Sequence, residues 1–153
     1  MTISTKKGDL GMTDLKDRRV SKDDATIIAL GDLDECSSLI IHMQATHGLD
    51  KQVWEPIVLD LYQISGVLSG YVESCNLDQK IEAFETYIAS KQNKVHHFIF
   101  PFDQKDSAHL HYVRAVVRRA ERSVVLLNGI SPIQASIIVY LNRLSDFIFA
   151  QEL

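Results

Sequence analysis

Between Val113 and Leu127 the chain has neither glycine nor proline, and its apolar residues fall at a spacing that one backbone geometry serves. Val113, Val117, Ala120, Val124 and Leu127 recur every three or four residues, which puts them on one stripe of an α-helix. At 100° per residue, Arg114, Arg118 and Arg122 align along one flank of that stripe, and Glu121 sits beside them. Like charges four residues apart destabilise a helix by roughly 0.2–0.5 kcal/mol per pair, so the arginine row does nothing for the helix itself. It suits a polyanion such as a triphosphate, which a guanidinium grips through two hydrogen bonds at once. It suits equally a solvated face that forms ion pairs with neighbouring helices.

Other stretches carry the same period. Asp23 or Asp24 caps a helix reaching about His47, with Ile27, Leu30, Leu33, Ile40 and Met43 inward and Gly48 as its stop. A second helix is expected over about Val53 to Ser74, with Pro56 tolerated in its first turn. A shorter amphipathic helix follows from Asp78 to about Gln92. Val95 to Phe102 reads as an extended connector, because the residue before Pro101 is biased away from helix. The arginine helix is expected from about Gln104 to Leu127, ended by Asn128-Gly129, and Ser131-Pro132 opens a last helix to about Ala150. Five helices joined by short connections predict an all-α antiparallel bundle. The chain reads as a single domain over 1–153, with 1–22 as an N-terminal segment and 23–153 as the bundle.

A chain of 153 residues, 46% hydrophobic and 24% charged, is long enough for one hydrophobic core. Its formal net charge of −4 argues against general binding to nucleic acid or to an anionic membrane. No apolar run approaches the roughly 20 residues that span a bilayer, and Met1 to Leu15 lacks a signal-peptide apolar region. The two cysteines, Cys36 and Cys75, have neither metal-ligand spacing nor a disulfide framework. A cytoplasmic protein with small buried thiols is the expectation.

Thr5-Lys6-Lys7-Gly8-Asp9-Leu10-Gly11-Met12-Thr13 has the composition of an anion-binding loop: glycines admit backbone N–H groups close to an anion and lysines supply charge. It lacks the Gly-Lys-Ser/Thr of a Walker A motif, and a plain surface turn has the same composition. Asp32, Asp34 and Glu35 crowd the first helix, where acids favour the macrodipole. Asp34 falls on the flank of the apolar stripe, where an arginine would partner it. Asn142, next to the core-facing Leu141, must find hydrogen bonds, to a neighbouring loop or to a ligand. His96-His97 and the His109/His111 pair have no carboxylate or cysteine at ligand spacing, so structural or surface roles are expected. No serine-histidine-aspartate logic is visible.

The order of these pieces resembles the ATP:cob(I)alamin adenosyltransferases of the propanediol-utilisation type. The likeness lies in Thr5 to Thr13, Val20-Ser21-Lys22-Asp23-Asp24, Gly31-Asp32-Leu33-Asp34-Glu35, Phe98-Ile99-Phe100-Pro101, Leu110-His111 with Arg114, Arg118-Arg119-Ala120-Glu121-Arg122, and Tyr140-Leu141-Asn142-Arg143-Leu144-Ser145-Asp146. The resemblance implies a five-helix bundle assembled as a homotrimer with sites between subunits. It implies transfer of the 5′-deoxyadenosyl group of ATP to the cobalt of cob(I)alamin, with Mg²⁺ and with release of triphosphate. By matching positions, Thr5, Lys6, Lys7, Gly8, Asp9, Thr13, Asp14 and Lys22 would hold the nucleotide together with Arg118, Arg119 and Arg122. Glu121 and Asn142 would complete that site, Glu121 near the metal. Asp34 and Arg114 would form an inter-subunit pair, and Phe98 would sit under the corrin ring. A reductase or an adenosylcobalamin-dependent enzyme would be a protein partner, and no nucleic acid or membrane is expected.

The chain departs from the family pattern at Phe102-Asp103, where two glycines are common. It departs again between Thr13 and Val20, which is short and basic, and at Met12, Asp14 and Ser37. The altered Pro101-Phe102-Asp103 loop favours an alternative, a non-catalytic paralogue that binds ATP or a corrinoid as carrier or sensor.

Overall fold

The computed structural model describes residues 3–92 and 100–153. The N-terminal segment closes into a small antiparallel hairpin of β1 (Met12–Asp14) and β2 (Arg19–Ser21). Thr13 faces Val20 across it, and Asp14 faces Arg19. Gly11 enters β1 at φ 75°, a conformation that favours glycine, and its carbonyl accepts from the Lys22 N–H at 2.8 Å.

Helix α1 (Ala25–His47) begins where Asp24 accepts from the Thr26 N–H at 2.8 Å. It ends at Gly48, which is left-handed with φ 69°. Its buried stripe is Thr26, Ala29, Leu33, Cys36, Ser37, Ile40 and Met43, while Ile27 and Leu30 are only half-buried. Helix α2 (Lys51–Leu68) starts earlier and stops sooner than expected. Pro56 therefore lies beyond the first turn, where it leaves one backbone carbonyl of the helix without its N–H donor. The stop is a tight reversal: Gly70 takes φ 82° and Val72 N–H returns to the Gly66 carbonyl at 3.0 Å. A Cβ on Gly66 would lie 2.7 Å from Val72 Cγ2, so the residue there has to be small.

Helices α3 (Asp78–Lys91), α4 (Lys105–Ile130) and α5 (Ala135–Gln151) complete the bundle. α4 packs against α1 and α5, α1 against α2, and α3 against α5. Asn128-Gly129 does not end α4, which continues through both residues. The Asn128 side chain instead accepts from the Ile133 N–H at 3.1 Å in the following turn. Nor do Ser131 and Pro132 open α5, whose N-cap is Gln134. The Gln134 amide is occupied by the Cys75 backbone, accepting from its N–H at 3.1 Å and donating to its carbonyl at 2.7 Å. That exchange ties the start of α5 to the residues before α3.

The core runs along the bundle axis through Leu33, Ile40, Leu61, Ile64, Val113, Val117, Ile137, Leu141, Leu144 and Ile148. A charged residue lies within it. Asp60, 3% exposed, accepts from the Tyr140 hydroxyl at 2.9 Å and pairs with Lys80. Among the described residues, no helix is long and apolar enough to cross a membrane.

Candidate functional site

The hairpin determines how the N-terminal candidates are presented. Lys22 follows β2 and folds back over Gly8, so that a Cβ on Gly8 would meet its Nζ at 3.0 Å. The glycine thus makes room for an ammonium directly above the loop. Lys6 has φ 57°, unusual for a residue with a side chain, and the Asp9 and Gly11 N–H groups turn back to the carbonyls of Lys6 and Gly8. Thr5, Lys6, Lys7 and Asp9 are exposed, and Thr13 is half-buried. Asp14 is engaged within the hairpin: Arg19 donates to its Oδ1 at 2.7 Å and also reaches the Lys7 carbonyl. The basic run Arg18-Arg19 therefore has structural work, since Arg18 also donates to Thr26 Oγ1 at 3.3 Å at the start of α1.

On α4 the three adjacent arginine candidates divide. Arg118 and Arg122 are exposed, and neither forms an ion pair or side-chain hydrogen bond among the described residues. Arg119 is turned by 100° from Arg118 and meets α1 instead, with its Nε 3.4 Å from Asp32 Oδ1 and its Nη2 on Glu35. Ser123, one turn on, donates to the other Asp32 oxygen. Of the row Arg114, Arg118 and Arg122, Arg118 and Arg122 keep their guanidiniums available among the described residues, whereas Arg119, which lies off the row, forms the inter-helix ion pair. The same cluster surrounds Cys36, whose burial pushes its thiol up to about 12 despite the nearby Arg119 charge. Burial also raises Cys75, so neither thiol is primed as a nucleophile.

Glu121 and Asn142 come together between α4 and α5, with Asn142 Nδ2 donating to Glu121 Oε1 at 3.1 Å. Arg143 Nη1 donates to Asn142 Oδ1 at 2.8 Å, and Arg143 Nε to Glu85 Oε1 at 2.8 Å. A line of hydrogen bonds therefore runs from α3 to the arginine flank of α4. Glu85 and Arg143 carried no signal in sequence beyond their charges.

Asp34 and Arg114 do not meet within the chain. Asp34 is exposed on α1. Arg114 lies with its Nε 3.4 Å from Glu152 Oε1 and its guanidinium 5.3 Å from the centre of the Phe149 ring. His111, which has no carboxylate at ligand spacing in sequence, finds one in space: its Nδ1 is 3.0 Å from Glu152 Oε2. Phe98 and the His96-His97 pair lie outside the described residues. Downstream of them, Phe100 and Phe102 are exposed and stacked, with ring centres 6.2 Å apart.

An apolar cleft of about 250 Å³ between α1 and α2, lined by Ile40, Ile41, Trp54, Val58 and Leu59, contains none of these residues. Among the described residues, no group of three histidine, cysteine or acidic side chains could hold a metal ion. Glu121 fits a different kind of metal binding. Mg²⁺ commonly takes one or two carboxylates and draws its remaining ligands from water and substrate phosphates, and Glu121 offers one carboxylate beside two uncommitted arginines.

The described residues thus form an all-α bundle that carries a glycine- and lysine-bearing hairpin, an arginine flank and a carboxylate–amide pair. The sequence model of one family, cobalamin adenosyltransferase, matches residues 3–152. The corrinoid adenosyltransferase of Bacillus subtilis (strain 168) is 31% identical over 162 residues, spanning 98% of this chain and 84% of the relative. The cobalamin adenosyltransferase of Cupriavidus metallidurans is 33% identical over 158 residues, spanning 96% and 84%. A variant PduO-type ATP:corrinoid adenosyltransferase from Lactobacillus reuteri, complexed with cobalamin and ATP, superposes with a TM-score of 0.88 at 26% identity, over 99% of this chain and 89% of that one. The chain belongs to the cobalamin adenosyltransferase family.

Proposed function

We infer that this protein transfers the 5′-deoxyadenosyl group of ATP to the cobalt of cob(I)alamin, forming adenosylcobalamin and triphosphate. The observation that carries this is the match of nearly the whole chain to an adenosyltransferase complexed with both substrates. Chemistry supports it. Cobalt(I) supplies the electron pair that forms the cobalt–carbon bond to the ribose 5′-carbon, and the carbon–oxygen bond breaks with its electrons leaving on triphosphate. The nucleophile belongs to the substrate, so the protein needs no activated serine, cysteine or histidine. Its tasks are to align the 5′-carbon with the cobalt and to stabilise the leaving group.

Arg118 and Arg122 take the triphosphate from the α4 side, and Lys22, Lys6 and Lys7 from the hairpin side. Thr5, Thr13 and the backbone around Gly8 supply hydrogen bonds, and Asp9 orders the loop. Asp14 acts through Arg19, and Arg119 through its hold on Asp32 and Glu35, by keeping the hairpin and α4 in place. Glu121, oriented by Asn142, binds Mg²⁺ jointly with the phosphates. When bound, Mg²⁺ offsets the charge that grows on the departing triphosphate. Phe98, assigned by family resemblance alone, covers the lower face of the corrin, where an apolar ring offers the metal no lone pair and keeps water away. Asp34 pairs with Arg114 of a second copy, so the site is shared within a cytoplasmic homotrimer whose protein partner is a reductase that supplies the reduced corrinoid or an adenosylcobalamin-dependent enzyme that takes the product.

The nature of the inorganic product separates this reaction from ATP hydrolysis. Incubating the protein with MgATP and chemically reduced cobalamin should release triphosphate, resolved by anion chromatography, in proportion to cobalamin consumed. Release of diphosphate or monophosphate would contradict adenosyl transfer. The Pro101-Phe102-Asp103 loop, with Phe102 90% exposed, is the feature that favours a non-catalytic carrier. Retention of ATP with no triphosphate released would identify that case.

A further inference from the structure

Glu152 presents a carboxylate with no exposed side-chain surface, just beyond the end of α5. An ionised group in that position needs compensation, and both of its partners come from α4. Glu152 Oε2 lies 3.0 Å from His111 Nδ1, and Oε1 lies 3.4 Å from Arg114 Nε. The neighbouring Phe149 covers the face of the same guanidinium at 5.3 Å. The end of α5 therefore holds Arg114 by one edge and one face. The guanidinium is a rigid fork of five donors, so constraint at the Nε edge also directs the two terminal nitrogens. Those nitrogens have no acceptor among the described residues, and the side chain keeps 25% of its surface exposed.

We propose that Glu152 is the positioning residue of the subunit bridge, directing the terminal nitrogens of Arg114 toward Asp34 of a second copy of this chain. The proposal rests on the shared-site reading of Arg114 and Asp34, and two further observations support it. Arg114 Nε and Glu152 Oε1 are buried and lack any hydrogen-bond partner among the described residues, so at 3.4 Å each is the charge that compensates the other. Moreover, a buried ion pair adds little stability over apolar packing of the same volume. What the charge at Glu152 contributes is direction.

Glu152→Gln keeps the side-chain size and an oxygen for His111 but removes the charge that holds Arg114. In this variant the ¹⁵N-labelled Arg114 Nε–H resonance should shift and exchange faster with water. Sedimentation over a concentration series should show subunits dissociating at roughly tenfold higher protein concentration, the loss expected from one charge-assisted contact. In an Arg114→Met background the same change should have no further effect on assembly. Phe149→Leu, which frees the face of the guanidinium while retaining both charges, should weaken assembly to a smaller degree. A trimeric wild type whose assembly and Nε–H signal ignore Glu152→Gln would overturn the positioning role alone. An equal loss of assembly in the Arg114→Met background would also overturn it, since Glu152 would then act only through packing. A monomeric wild type would overturn the shared-site reading itself.

Discussion

Asn142 Nδ2 lies 3.1 Å from Glu121 Oε1, and the polarity of that contact is fixed by a third residue. Arg143 carries donors only, so the Asn142 oxygen must face it and the amide nitrogen must face Glu121. The carboxylate is thereby held beside the arginine flank with its second oxygen uncommitted. Asn142→Ala should weaken MgATP binding by about 1.5–3 kcal/mol, the range for a hydrogen bond to a charged group. Asn142→Asp should weaken it further by setting a like charge against Glu121. Calorimetric titration with MgATP checks both, and an unchanged affinity in either variant would separate this pair from the nucleotide.

Arg118 and Arg119 are adjacent in sequence and should fail differently. Arg118→Ala should cost about 1.5–3 kcal/mol of ATP affinity while leaving helicity and thermal stability nearly unchanged, because the side chain is unpaired and the substitution relieves like-charge repulsion. Arg119→Ala removes the ion pairs of α4 with Asp32 and Glu35 and leaves Ser123 to hold Asp32. The side chains are partly exposed, Arg119 and Glu35 more than Asp32, so the stability loss should be modest, about 0–1 kcal/mol per pair. Measuring ATP affinity and melting temperature in parallel distinguishes the two patterns.

The Asp60–Tyr140–Lys80 cluster gives the sharpest expectation for stability. Asp60→Ala leaves the Tyr140 hydroxyl and the Lys80 ammonium without their acceptor, and breaking a buried pair in this way costs about 3–5 kcal/mol. Lys80 is 40% exposed and can turn to water, which places the expected loss at the lower end of that range. Tyr140→Phe should cost less, because Asp60 keeps Lys80. Chemical denaturation of the three proteins tests the order.

Acid should destabilise the fold in two steps. Desolvation, then the charges of His109, Lys105 and His42, hold the His47 imidazole below its ordinary value. The unfolded chain therefore binds that proton more readily, and stability falls as pH drops through the interval below about 6.5. Asp24 acts in the same direction at lower pH. The Thr26 N–H and hydroxyl stabilise its carboxylate and hold it below the usual range, so its contribution is present above that range and disappears as pH falls through the folded value. His47→Gln should flatten the first step. Asp24→Asn should remove the second while preserving the cap. Denaturation midpoints across pH 3–8 would show both, and a step that survives its substitution would assign the titration elsewhere.

The helical stripe from Val113 to Leu127 was legible because burial repeats every turn, and all five of its predicted core residues are buried. Family matching groups Arg119 with Arg118 and Arg122, although its 100° offset from Arg118 directs it toward another helix. The hairpin escaped notice because three-residue strands are too short to display a period of two. The start of α5 is displaced from Ser131-Pro132 because Gln134, at the N-cap, is held by the backbone of Cys75, a residue distant in sequence. The Glu152 contacts with His111 and Arg114 likewise span about 40 residues. Local spacing carries no trace of such pairs, which exist only once the bundle has closed.

The central claim is formation of a cobalt–carbon bond, and the visible spectrum of the corrinoid reports that bond directly. Purified protein, MgATP and chemically reduced cobalamin are mixed without oxygen, and the spectrum is followed in the dark until it is stable. Expected is conversion of the cob(I)alamin spectrum to that of adenosylcobalamin, dependent on ATP, slowed by Arg118→Ala and lost on exposure to light, which splits the new bond homolytically and leaves cobalt(II). A cob(I)alamin spectrum that persists unchanged beside protein saturated with ATP would contradict the claim.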